Sequence, residues 1–282
     1  MKIFLTGGTG FVGSHFLVQA LKAGHDVVAQ RRPGSRPRIK LSKEPAWIDR
    51  ALDQDFSKEL IGCDAIVHLA SHTPNPPYAP LDECIYWNVF ATIKLLQQAA
   101  ENNVSNFIVA GSYFEYGEAA QGQQYIHPGT EMRPKLTYPI SKAAATTACL
   151  GLARQMNLKL KILRIFQVFG EGESKSRFWP SLCMAAKEGR DFAMSSGTQI
   201  RDFISVEDVA KKFIEELDFS GINRGIPEIY NVGTGEGKSV LSFAQEWWVN
   251  LNAQGKLMPG DLKWREGELP RMVADISSIH KC

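Results

Sequence analysis

Tyr138 and Lys142 stand four residues apart in YPISK. On a helix that spacing places both side chains on one face. Pro139 between them fits a first helical turn, where no intrahelical N–H bond is needed. An ammonium group beside a phenol stabilises the tyrosinate and lowers its pKa, so the pair could act as a general acid or base. YxxxK is common by itself, but a second motif changes its weight. KIFLTGGTGFVG sets Gly7, Gly10 and Gly13 directly after a short apolar run and at the opening of a helical pattern. Glycine at 7 permits a tight turn, at 10 lets backbone approach a pyrophosphate, and at 13 lets the helix pack closely on the strand. With Thr9, Phe11 and Val12 in the same turn, the helix N-terminus offers unpaired N–H groups and a positive dipole end to phosphates.

Which dinucleotide is read at the end of the second strand, where an NAD site usually carries a carboxylate for the ribose hydroxyls. Here DVVAQ ends at Gln30 and is followed by Arg31 and Arg32. Cations in that place suit a 2′-phosphate, so NADPH is the expected cofactor and NAD(H) the alternative. Arg36, Arg38 and Lys40 also allow the stretch to be a solvated basic loop.

Elements that could hold these groups alternate along the first half. Strands are expected at residues 2–6, 26–30, 64–69, 106–110 and 159–164, and helices at 11–23, 84–102 and 138–157. That alternation is the mark of βαβ units in a parallel sheet covered on both faces, here an α/β Rossmann fold, a doubly wound parallel sheet. Beyond residue 170 glycine and proline interrupt more often, which predicts a smaller α/β substrate-binding lobe. Strands are expected there at 200–206 and 229–232 and helices at 206–217 and 239–250, with Trp247 and Trp248 unable to face inward together. The expected division is 1–170, carrying the dinucleotide and catalytic residues, and 171–282, mainly substrate-binding, with some segments returning to the sheet. Residues 31–45 and 73–80 read as loops.

Composition sets outer bounds. A chain of 282 residues with 44% hydrophobic and 22% charged residues can bury a sizeable core. Thirty-two Lys plus Arg against 30 Asp plus Glu leave +2, too little to make nucleic acid the default partner. No apolar stretch reaches the 18 residues of a membrane span, and the N-terminus is no signal peptide, so no membrane partner is expected. Five cysteines without a CxxC pair suggest neither a disulfide framework nor zinc, but reduced thiols in the cytoplasm. GTGEGKS at 233–239 has one residue too few between its glycines for a phosphate loop, and His68 and His72 lack HExxH, so no metal is expected.

In order along the chain, GGTGFVG (7–13), DAIVHLAS (64–71), NVFATIKLL (88–96), GSYFEYG (111–117), YPISK (138–142), LRIFQVFG (163–170), RDFISVEDVA (201–210) and YNVGTG (230–235) resemble the extended short-chain dehydrogenase/reductases. That family comprises nucleotide-sugar epimerases, dehydratases and reductases. The resemblance spans nearly the whole chain. It implies a catalytic Ser112, Tyr138 and Lys142, with Ser112 bonding the sugar oxygen, Tyr138 moving the proton and Lys142 also holding the nicotinamide ribose. Leu69 and Ala70 would border the cofactor, and helices 84–102 and 138–157 would pair in a homodimer.

The two residues after Ser112 narrow the reaction. Dehydratases resembling this chain place Asp-Glu after the catalytic hydroxyl residue, and GDP-fucose epimerase-reductases place Cys two positions on; here Tyr113 and Phe114 stand. GSYFEYGE also resembles CDP-abequose and paratose synthases. The expected activity is therefore NADPH-dependent reduction of the C4 keto group of a nucleoside-diphosphate 4-keto-6-deoxyhexose. The alternatives are an NAD-dependent 4-epimerase and a non-catalytic NADP-binding protein. Glu115 either orients a sugar hydroxyl, pairs with an arginine or faces solvent. A nucleoside diphosphate must be met by cations, which Arg177, Arg201 and Arg271 of the second lobe supply; by the resemblance, Arg201 and Arg271 contact diphosphate and ribose, and Gln167, standing where many relatives have Asn, is a substrate contact.

Overall fold

The computed structural model describes residues 1–264 and 267–282. The first half builds β1 (Lys2–Thr6), α1 (Phe11–Lys22), β2 (Asp26–Arg31), β3 (Ala46–Asp49), α2 (Ser57–Leu60), β4 (Ala65–His68), α3 (Leu81–Ile85), α4 (Ala91–Glu101), β5 (Asn106–Ser112), α5 (Thr137–Gln155) and β6 (Lys159–Ile165). The second half adds β7 (Gln167–Phe169), α6 (Phe178–Lys187), β8 (Phe192–Met194), β9 (Ile200–Arg201), β10 (Phe203–Ser205), α7 (Val206–Glu215), β11 (Glu228–Val232), β12 (Lys238–Ser239), α8 (Val240–Asn250), β13 (Leu257–Pro259), β14 (Arg271–Met272) and β15 (His280–Lys281).

The central sheet runs β15-β11-β6-β5-β4-β1-β2-β3, parallel except where β15 pairs with β11. This is the Rossmann order. Its connections diverge on either side of β1, and a crevice opens there beyond the carboxyl ends of β1 and β4. Side-chain alternation assigns the two faces. Phe4, Ile66, Phe107, Val109 and Ile162 join Leu95, Ala99 and Leu152 on one side. Ile3, Leu5, Val67, Ile108 and Leu163 join Phe16, Leu17, Val209 and Phe213 on the other. Helices on both faces explain why β4 is buried along its whole length.

Residues 167–282 serve both parts. β11, β15 and α7 belong to the sheet and its cover, while β8, β9, β12–β14, α6 and α8 form a smaller lobe with its own apolar cluster around Leu182, Met194, Val240 and Ala244.

Several expected boundaries change. Strand β3 is additional to the expected elements: AWID is half exposed and lacks the apolar alternation that marks a strand, and pairing with β2 alone specifies it. The helix expected at 84–102 starts at Leu81 and contains a π-helical segment, Tyr86–Phe90. The strand expected at 200–206 divides into β9 and β10 around Asp202, whose buried carboxylate accepts from the N–H groups of Thr234, Gly235 and Ala274 and from the Thr234 hydroxyl. The same contacts tie GTGEGKS down as a structural loop. Trp247 and Trp248 both pack inward, Trp247 on Phe169, Trp179 and Phe243 and Trp248 on Phe192, because the lobe wraps two flanks of α8.

Candidate active site

At the crevice lies a cavity of about 760 Å³. Its floor at one end is the glycine turn. Gly7 has φ +74°, and a Cβ there would meet Ala70 N and Leu69 C at 2.5 Å. A Cβ on Gly13 would stand 2.0 Å from the Gly7 carbonyl oxygen. The strand end, the turn and α1 therefore close on one another only with glycine at both places. Gly10 begins α1 without a side-chain cap, so the first N–H groups of the helix have no capping partner within it. With Gly7, Thr9, Gly10, Phe11, Val12, Gly13, Leu69 and Ala70 all on the wall, the site fits a dinucleotide pyrophosphate.

The two arginines after β2 part company. Arg32 lines the cavity, joined by Arg38 from the following loop. Arg31 is turned away: its Nε and Nη2 donate to the Asp49 carboxylate at 2.8 and 3.2 Å, and its guanidinium lies 4.7 Å from the centre of the Trp47 ring. Both partners come from β3, a strand absent from the expected elements. The expected cation pair is thus corrected to Arg32 with Arg38. The shared exposure of this basic loop gave no sequence signal separating Arg38 from Arg36 and Lys40.

Ser112 ends β5, and Tyr138 and Lys142 occupy the first turns of α5; all three face the cavity. The Ser112 oxygen accepts the Phe114 N–H at 3.3 Å, which leaves its O–H able to donate elsewhere. Lys142 Nζ donates to the Ala110 carbonyl at 2.7 Å, and burial holds its pKa down, opposed by Glu115. The phenol of Tyr138 is pushed up to about 12, by burial first, with hydrogen bonds from Ser71 and Ser112 pulling it back. The expected lowering is therefore not seen: burial raises the phenol, and the Lys142 ammonium is engaged with the Ala110 carbonyl. Tyr78, from the proline-rich loop, stacks on Tyr138 with ring centres 5.5 Å apart. Ser71 is the last residue of DAIVHLAS and Tyr78 lies in the 73–80 loop, but neither carried a sequence signal of its own.

Glu115 does not reach the cavity. It is fully buried beneath Ser112, where one oxygen accepts the Ser112 N–H at 2.7 Å and the other accepts from the Thr146 hydroxyl at 2.9 Å and Arg164 Nε at 2.8 Å. Arg164, equally buried, also donates to the Pro128 carbonyl and lies over the Tyr116 ring. Of the alternatives open for Glu115, pairing with an arginine is the one found; off the cavity wall and with both oxygens engaged, it offers nothing to a sugar. The carboxylate holds the backbone on which Ser112 sits.

The candidate nucleotide-binding residues are dispersed. Arg177 lines the cavity. Gln167 does not; its amide oxygen accepts the Tyr113 hydroxyl at 3.0 Å. Arg201 is buried and gives Nη2 to Glu268 at 2.9 Å, and Arg271 gives Nε to the Gln124 carbonyl at 2.8 Å. They stand on the paired strands β9 and β14, away from the cavity wall. Glu173, unforeseen, lines the cavity and takes the Arg177 Nε at 3.2 Å. Their four-residue spacing was the available signal, masked by lying in a loop. His68 is held between the hydroxyls of Thr6 and Thr92, and burial lowers its pKa to about 3.

Comparison with known proteins agrees with this geometry. The chain is 26% identical to a CDP-abequose synthase of Salmonella muenchen over 278 residues, covering 99% of this chain and 90% of that one. Other relatives are longer, and the chain spans 44% and 59% of two of them. Among solved structures, MoeE5 in complex with UDP-glucose and NAD superposes with a TM-score of 0.82 at 27% identity, over 98% of this chain and 90% of that one. A UDP-N-acetylglucosamine 4-epimerase from Methanobrevibacter ruminantium M1 gives 0.87 at 25% identity, over 98% and 89%. Residues 3–233, from the first strand through the glycine turn and the Tyr-Lys helix to β11, match one family model, and the chain belongs to the NAD dependent epimerase/dehydratase family.

Proposed function

We propose that the protein reduces the C4 keto group of a nucleoside-diphosphate 4-keto-6-deoxyhexose, with NADPH as the reductant. The observation that carries this reading is the wall beside Ser112. Tyr113 and Phe114 stack there at 4.2 Å, and Glu115 is turned under the strand to Arg164. That wall offers two aromatic rings where dehydration or carbon epimerisation would need an acid and a base. Ketone reduction needs one proton donor and one oxygen-binding hydroxyl.

The cofactor, held along residues 7–13, supplies the hydride. Tyr138 gives its phenolic proton to the carbonyl oxygen as that oxygen gains charge, and a phenol pushed up to about 12 is protonated at neutral pH. The Ser112 hydroxyl donates to the same oxygen. Lys142, fixed by Ala110 O, would hold the nicotinamide ribose and offset the growing negative charge. Arg32 and Arg38 favour a 2′-phosphate. We propose a division of labour near residue 170, with the lobe beyond it serving the nucleotide sugar through Arg177, and a homodimer through the α3–α4 and α5 face, where Tyr86 and Phe90 are exposed.

The test is NADPH absorbance on mixing the protein with CDP-, dTDP- and GDP-4-keto-6-deoxyhexoses, followed by product analysis. Stoichiometric loss of NADPH with one of them supports the reductase. No loss, together with interconversion of intact nucleotide sugars without net cofactor use, would replace it with the 4-epimerase. Sedimentation of the purified protein tests the dimer.

A further inference from the structure

Residues 170–177 join β7 to α6 and run along the cavity, with Gly172, Glu173, Ser174 and Arg177 on its wall. The segment is anchored at both ends. The His15 ring bonds the Glu171 carbonyl oxygen at 2.9 Å, and a Cβ on Gly172 would lie 2.9 Å from Arg38 Cβ, on the cofactor side. Toward the other end, the Ser181 hydroxyl donates to the Lys175 carbonyl at 2.9 Å, and Arg177 lines the cavity together with Tyr113 and Ser112. Glu173 sits between these ends with its side chain 5% exposed.

Its two carboxyl oxygens are treated differently. Oε1 accepts from Arg177 Nε, whereas Oε2 is buried without a hydrogen-bond partner. A buried carboxyl oxygen lacking a donor is costly and uncommon. Packing does not require it, since an apolar side chain of similar size would fill the place without the cost. The same carboxyl would repel a phosphate, but a sugar hydroxyl can donate to it in a charge-assisted bond.

We propose that Glu173 is a specificity-determining residue that receives a sugar hydroxyl of the substrate on Oε2 while Arg177 holds its other oxygen. The inference rests on the reading of the cavity as a nucleotide-sugar site. Burial pushes the Glu173 carboxyl up to about 7, with Arg177 opposing, as befits a group short of donors until a ligand provides one.

The experiment titrates CDP, UDP, dTDP and GDP, and the glucose conjugate of each, into wild type, Glu173→Ala and Glu173→Gln, all saturated with NADPH. For the nucleotide that wild type binds, Glu173→Ala is expected to weaken the sugar conjugate about tenfold or more and the bare diphosphate less than about twofold. Glu173→Gln, which keeps an acceptor, is expected to recover part of the loss. Equal weakening of diphosphate and conjugate would mean that Glu173 only props the loop, and would overturn the proposal. So would unchanged binding of the conjugate. A wild type that binds NADPH but none of the conjugates would overturn the nucleotide-sugar reading itself, and the proposal with it.

Discussion

Replacing Glu115 by Gln separates the buried role found for this residue from the sugar contact considered for it. Gln has the same shape but one acceptor oxygen in place of two. Three donors converge on the carboxylate: the Ser112 N–H at one oxygen, the Thr146 hydroxyl and Arg164 Nε at the other. Whichever way the amide is turned, its NH2 faces a donor. Arg164, 1% exposed, also loses its counter-charge, and although burial alone would lower its pKa, Glu115 is the first group holding it up. Removing one partner of a buried pair costs about 3–5 kcal/mol. At about 2–4 °C per kcal/mol, that corresponds to a fall in Tm of about 6–20 °C. Urea and thermal unfolding followed by circular dichroism would measure it. The double variant Glu115→Leu with Arg164→Met should recover much of the loss, since an apolar pair leaves no charge stranded. If Glu115→Gln unfolds within about 1 kcal/mol of wild type and instead raises KM for the sugar substrate, the buried-pair argument is wrong and Glu115 touches substrate after all.

Four further outcomes are expected. Tyr138→Phe should lower kcat by about 10²–10⁴-fold while NADPH affinity, read by fluorescence titration, stays near wild type; equal loss of both would show a structural role. Arg31→Ala should leave the NADPH-to-NADH preference within about twofold, because Arg31 serves Asp49 and Trp47, whereas Arg32→Ala with Arg38→Ala should lower it by about tenfold or more; the reverse order in steady-state kinetics would refute the assignment. Gly13→Ala should destabilise the fold and weaken cofactor binding together, since its Cβ meets Gly7 O at 2.0 Å and backbone must move; retention of wild-type Tm and NADPH affinity would contradict this. Glu173, its carboxyl raised to about 7 from the usual 4.5, is favoured by folding in its protonated form. That stability is fully present below about pH 4.5 and lost as pH rises through about 7, a decline of up to a few kcal/mol that Glu173→Gln should flatten in urea titrations at pH 5 and pH 8.

Much of the architecture is written in local pattern. Buried runs such as IFLT and AIVH have one stable setting, a parallel sheet covered on both faces, and glycine at 7 and 13 declares a close approach that no other residue permits. Tyr138 and Lys142 are legible because one helix fixes their relation, and helices obey a spacing visible in sequence. β3 is not legible, since AWID becomes a strand only because β2 presents an edge to it. The fate of Arg31 depends on that strand, whereas Arg38 is held by the Ser14 hydroxyl oxygen, which accepts its backbone N–H. Glu115 and Arg164 lie 49 positions apart and meet only because α5, β5 and β6 close over them. Trp247 and Trp248 are rivals for one face of an isolated helix, yet the lobe supplies two. The phenol of Tyr138 shows the same division, for its neighbour in sequence predicts a lowered pKa and its burial raises it. Sequence spacing determined which groups share an element, a short-range matter of backbone geometry. Which groups share an environment was decided by tertiary packing, because burial and charge pairing depend on everything that closes around a side chain.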